Sequence, residues 1–175
     1  VRDCRVTSGR FRNAPAISMP SGTTWAALDI PPDDHLYIAQ SDIKDYFYSL
    51  GIVSSLGCYF CLPPVRAATL KKWHFTEPSR EGKSWPFLRV VPMGCSWAFW
   101  LAQRAHAHQA WLASGLTFDR LSHDHTHPPS LNDRQLVIVA YCGYLTVVGV
   151  DPVEVSKVQD KIVCHFRALG FGVHE

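Results

Sequence analysis

Charge, methionine and long apolar runs are all scarce in this sequence. Charged residues make up 18% of the 175 positions, Met occurs twice, and nowhere do eighteen apolar residues follow one another. The last absence removes a transmembrane helix. The first residues, Val1-Arg2-Asp3-Cys4-Arg5, have neither the apolar core of a signal peptide nor the pattern of an amphipathic targeting helix. An intracellular chain with no membrane partner is therefore expected. Seventeen Lys and Arg against fifteen Asp and Glu leave a net charge of +2. No global basic field marks a nucleic-acid binder, so such a partner has to be met by local clusters. Six cysteines, at 4, 58, 61, 95, 142 and 164, are too sparse and too apolar in context for a disulfide framework, which favours a reducing compartment.

What is present is an ordinary globular composition, 47% hydrophobic, in a chain long enough to bury roughly 70% of its unfolded surface around one sizeable core. The sequence starts without Met and stops in a strand-like run, Phe171-Gly172-Val173-His174-Glu175. Both ends are expected to be cut from a longer polypeptide.

Residues 1 to 35 read as a basic extended segment, then loop with one short helix near residues 25 to 28. An apolar run from 36 to 40 suits a strand delivering Asp42 to its C-terminal edge, and a helical turn over 44 to 50 ends at Gly51. Residues 58 to 62 and 85 to 91 read as two strands joined by a basic excursion carrying Arg66, Lys71, Lys72, Arg80, Lys83 and Arg89. Ser96 is placed to cap the longest helix, which runs to about Ser114 before Gly115. Strands over 136 to 142 and 145 to 150 flank Gly143-Tyr144, which fits a type II′ turn. Asp151, Pro152 and Glu154 open a helix with Val155, Val158, Ile162, Phe166 and Leu169 on one stripe, ended by Gly170. The fold class is α+β, a largely antiparallel sheet with helices packed on one face.

Three segments, in order, resemble the palm of reverse transcriptases of retroelement type. Ser41-Asp42-Ile43-Lys44-Asp45-Tyr46-Phe47-Tyr48 is similar to that family's motif A, in which an Asp at a strand end binds catalytic magnesium. Val91-Pro92-Met93-Gly94-Cys95-Ser96 resembles its Pro-x-Gly-x-Ser motif B. Tyr141-Cys142-Gly143-Tyr144, followed by apolar residues and Gly149, resembles the Tyr-x-Asp-Asp hairpin of motif C. Asp3-Cys4-Arg5 is similar to the fingers Asp-x-Arg, and residues 167 to 175 to motif D without its terminal Lys. The order, spacing and local structure of these pieces agree with one another.

The resemblance implies fingers and palm of a right-hand polymerase in a single fragment, 1 to 175. Residues 1 to 35 and about 58 to 92 would be fingers-like, 36 to 57 and 93 to 175 palm-like, with the thumb absent and flanking retroelement domains elsewhere in the full-length polypeptide. It implies an RNA-directed DNA polymerase that uses Mg²⁺, an RNA or DNA template-primer and dNTP. Asp42 and the carbonyl of Ile43 would hold metal. Arg5, Asp45, Tyr46, Phe47 (the steric gate), Met93 and Gly94 would surround the nucleotide, and Arg10, Arg12, Lys71, Lys72, Lys83 and Arg89 would meet nucleic acid, with Arg2 beside them.

One departure bears on the chemistry. Two-metal nucleotidyl transfer needs carboxylates from motifs A and C around ions about 3.5 to 4 Å apart, yet the two motif C positions here are Gly143 and Tyr144. Neither replaces an Asp as a hard oxygen ligand for Mg²⁺. Asp45 lies past the strand end, and Asp151 would be roughly 23 Å from the hairpin tip at the usual rise per strand residue. Mg²⁺ binding is thus expected to be weak or absent and the domain inactive. Because each Asp codon reaches Gly or Tyr by one base change, both look like point substitutions in a preserved hairpin, and Gly143→Asp is expected to fold with little backbone change.

Plainer readings stand beside these. Asp42 suits a polar strand terminus, Phe47 a core aromatic, and Met93-Gly94 an ordinary turn before a helix. Cys58-x-x-Cys61 has no second Cys pair to complete a zinc site, and His123, His125 and His127 form a polar loop with at most adventitious metal affinity. The alternative function is a non-catalytic nucleic-acid-binding, structural or interaction domain.

Overall fold

The computed structural model describes residues 4–72, 81–127 and 129–174. Along the chain the elements are α1 (Arg5–Ser8), α2 (Gly22–Ala26), β1 (Tyr37–Ile43), α3 (Tyr46–Ser49), α4 (Ser54–Gly57), β2 (Val65–Arg66), α5 (Ala67–Lys71), β3 (Lys83–Ser84), α6 (Ala98–Ser114), β4 (Leu121–Ser122), β5 (Val137–Tyr141), β6 (Tyr144–Gly149), α7 (Pro152–Ala168) and β7 (Val173–His174). They divide into two units, one of residues 1–13 and 47–98, the other of 14–46 and 99–175.

The second unit is a mixed α+β body on a five-stranded sheet in the order β4-β5-β6-β1-β7. Every pairing in it is antiparallel except β4 with β5. Strand alternation sorts its residues into two layers. Ser41, Ile43, Leu145, Val147, Ile138 and Ala140 share the face on which α7 lies, and all are buried. The other face carries Val137, Val139 and Val148, which pack with Leu28, Leu131, Val150 and Leu36. That cover stops short of the β5–β6 turn.

Local signals explain the ends of the second unit's long helices. Asp151 accepts from the N–H groups of Val153 and Glu154, and Pro152 occupies the first turn. The stripe of Val155, Val158, Ile162 and Phe166 is buried as expected, whereas Leu169, past the last turn, is exposed. Gly115 and Gly170, with φ of +74° and +90°, end α6 and α7 in the conformation glycine enters without penalty. The short helix expected near residues 25 to 28 is α2, which begins earlier because Ser21 and Thr24 form a reciprocal capping box.

In the first unit the expected pair of long strands is not formed. Residues 58 to 60 make a 3₁₀ turn, and pairing near Phe87 and Val90 is reduced to single bridges to Cys61 and Gly51. Pro86 interrupts the second run, Pro63, Pro64 and Pro92 bound the two, and none of the four supplies a ladder donor. Among the described residues of this unit only β2 and β3 form a ladder, and half of the excursion between them, residues 73–80 with Arg80, lies outside the described residues. Phe11 packs on Tyr59 and Phe60, Trp97 donates to the Arg12 carbonyl, and Phe87 presses so closely on Gly57 that a Cβ there would sit 2.5 Å from its ring. Ser96 does not cap α6, which begins at Ala98; its N–H is taken by the Ser8 hydroxyl.

Candidate functional site at the β5–β6 hairpin

Asp42 is the penultimate residue of β1, which extends further than its apolar run suggests. The ladder puts it directly opposite Tyr144 on β6, Tyr144 opposite Tyr141 on β5, and Asp42 opposite His174 on β7. Directly paired residues project to the same side. Tyr141, Tyr144, Asp42 and His174 therefore form one row across four strands, on the face away from α7. Tyr141 and Tyr144 remain 42% and 56% exposed, and His174 is exposed too. The segments resembling motifs A and C thus lie on neighbouring strands, stapled by the Ile43 N–H donating to the Gly143 carbonyl at 3.0 Å.

The turn differs from the expected type II′. Its central residues are Cys142 and Gly143, with φ of +40° and +108°, and Tyr144 already belongs to the strand. Two positive φ values in a two-residue loop define the type I′ class, whose twist matches the flanking strands. This also overturns the expectation that Asp would enter position 143 easily. A Cβ there would lie 3.2 Å from Tyr46 Cβ, and the backbone is in a region that side-chain-bearing residues rarely adopt.

Two residues of α6 that sequence reasoning missed hold the turn from below. Beyond the short β4, the free edge of β5 is taken up by the Gln103 side chain, which donates to the Ala140 carbonyl at 2.7 Å and accepts from the Cys142 N–H at 2.8 Å. The primary amide replaces a missing strand neighbour. Three residues on, His106 Nδ1 accepts from the Gly143 N–H at 3.3 Å. His106 is completely buried between the rings of Tyr46 and Phe166, and burial holds its pKa down to about 4. The ring is therefore neutral near pH 7 and protonated at Nε2. The sequence signal was a polar pair at i, i+3 on a helix side that otherwise carries the small residues Ala98, Ala102, Ala110 and Ser114.

Tyr46, expected to touch nucleotide, is instead buried. Its hydroxyl donates to the Ala102 carbonyl at 2.9 Å, its ring meets His106 and Phe171, and burial, followed by the neighbouring Cys142, raises its pKa. It is a floor under the turn. Burial likewise pushes the Cys142 thiol up to about 11, so it is no thiolate ligand near neutral pH. Asp45 is exposed, with φ of +51°. Ile43 keeps its side chain in the core.

The other expected contacts fall in the first unit. Phe47 is half-buried, Met93 and Gly94 are exposed, and Gly94 has φ of +94°. Arg5, Arg10, Arg12, Lys71, Lys72, Lys83 and Arg89 are all exposed there; Arg2 and Asp3 lie outside the described residues. The division exposes a charge asymmetry hidden in the total of +2. The first unit's sequence carries ten Lys and Arg against three Asp and Glu, the second seven against twelve.

Among the described residues no three His, Cys, Asp or Glu side chains gather as a metal site, all six cysteines are free, and no helix is long and apolar enough to cross a membrane. No family model matches the chain, and no curated protein is significantly similar to it.

Proposed function

We propose that this chain is a reverse-transcriptase-like domain of retroelement origin, with fingers-like and palm-like parts, that has lost nucleotidyl transfer and keeps nucleic acid as its partner. The observation that supports it best is the direct pairing of Asp42 with Tyr144 beside the Cys142-Gly143 turn. A strand-end Asp on an open sheet face, next to a tight hairpin on the neighbouring strand, is the arrangement the resemblance to motifs A and C requires. In that arrangement Mg²⁺ would be held by Asp42 and the Ile43 carbonyl. The hairpin supplies a glycine and a phenol where the second and third carboxylates belong, so no pair of divalent ions can be clamped around a primer hydroxyl and a triphosphate.

The strongly basic first unit supports continued binding of a template-primer through its phosphates. The test is to titrate a fluorescent RNA–DNA template-primer at several salt concentrations and to assay primer extension with Mg²⁺ and with Mn²⁺. The expected result is binding that weakens steeply with salt, and no extension. Extension abolished by Asp42→Asn would overturn the inactive reading; salt-independent binding, or none, would favour a structural or interaction domain.

A further inference from the structure

A groove of about 420 Å³ runs along α6 within the second unit, bounded by residues 15–18, the region around Phe118 and the end of β4. We propose that it binds a small planar aromatic carboxylate. This goes beyond the polymerase-like reading, because the groove reaches the sheet at Ala140, whose side chain lies on the opposite face from Asp42 and Tyr144.

The body of the groove is apolar: Ile17, Trp100, Ala107 and Phe118 line it, and its volume falls in the range that holds a drug-sized ligand. Gln103 also lines it, but both ends of its amide are engaged by Ala140 and Cys142. The other polar side chains are Ser18, Ser122, His108, His123 and Arg104, of which only Arg104 carries a fixed positive charge, and no Asp or Glu among the described residues lines the groove. The nearby Asp124 carboxylate accepts from the Thr24 hydroxyl.

Arg104 supplies the recognition. Its guanidinium carbon lies 5.8 Å from the centre of the Trp100 ring, and it forms no ion pair with a described carboxylate. A guanidinium placed on an aromatic face keeps its in-plane N–H fork for a second partner, and a carboxylate matches that fork with two parallel hydrogen bonds. The complementary ligand is a flat apolar body against Trp100 and Phe118 ending in one carboxylate at Arg104. A cationic ligand would meet Arg104 without a compensating acid.

Isothermal titration of the 175-residue chain with 2-naphthoate, its neutral isostere 2-naphthamide, and AMP tests this. Naphthoate is expected to bind at least about tenfold more tightly than naphthamide, the scale of one charge-assisted contact. Arg104→Met should erase that preference while leaving naphthamide affinity unchanged, and Ala107→Phe, which fills the groove, should abolish both. Arg104 is exposed on its helix, so Arg104→Met folds and decides the matter even where Ala107→Phe does not. Equal affinity for the two naphthalenes, a preference that survives Arg104→Met, or AMP binding more tightly than naphthoate would overturn the proposal.

Discussion

The Gly143 N–H points at Nδ1 of His106, 3.3 Å away, and that contact ties the hairpin tip to the protonation state of a buried ring. A histidine held down to about 4 when folded binds its proton more readily when unfolded, at the ordinary value of 6.5. Its contribution is complete above pH 6.5 and is lost as the pH falls from there toward 4, by up to about 3 kcal/mol. Urea midpoints measured from pH 7.5 to 4.5 should fall. In His106→Gln, which retains an acceptor but does not titrate, this part of the slope should vanish; an unchanged slope would assign the acid sensitivity to other groups.

Gln103 satisfies two backbone groups at once. Gln103→Leu keeps similar bulk but leaves the Ala140 carbonyl and Cys142 N–H without partners, and should cost about 2 to 4 kcal/mol. Hydrogen exchange at the Cys142 amide should accelerate more than at Val147 in the centre of β6. Uniform acceleration at both would instead indicate global destabilisation with no special role at the turn.

Restoring carboxylates should give different results at the two hairpin positions. Gly143→Asp forces a side chain into a positive-φ site against Tyr46 and should destabilise by about 1 to 3 kcal/mol. Tyr144→Asp occupies an exposed strand position opposite Asp42, where like charges repel but a divalent cation can bridge them. Its melting temperature should rise with millimolar Mg²⁺ more than the parent's does. The same Mg²⁺ response in Tyr144→Asp and parent would show that the two positions do not converge on an ion.

The buried phenol of Tyr46 makes a simpler case. Tyr46→Phe removes the hydrogen bond to the Ala102 carbonyl while preserving the ring contacts with His106 and Phe171. The expected loss is about 1 kcal/mol. A loss beyond about 3 kcal/mol, measured by chemical denaturation, would mean that the hydroxyl supports more than this one contact.

Much of the second unit was legible in the sequence because its signals are local. Asp151-Pro152 carries its own cap, Gly115 and Gly170 their own stops, and the apolar runs of β5 and β6 are separated by too few residues for anything but a hairpin. The α+β class follows from that order of elements. In the first unit the same reading failed over residues 58 to 62, where aromatic content suggests strand but the surrounding prolines leave no continuous ladder to join.

Only the tertiary structure decided what holds the hairpin and where charge resides. Gln103 and His106 are ordinary polar residues until α6 is laid against the open edge of β5, because a buried amide or imidazole is defined by the backbone groups it meets and not by its neighbours in sequence. Tyr46 likewise becomes a floor once the turn closes over it. The exchange of a II′ for a I′ turn moves Tyr144 out of the loop and onto Asp42's ladder, a one-residue shift that strand alternation converts into a change of partner and face. Net charge is a sum over the chain, so +2 is a property of the sequence; the separation of a basic unit from an acidic one comes from which distant segments pack together.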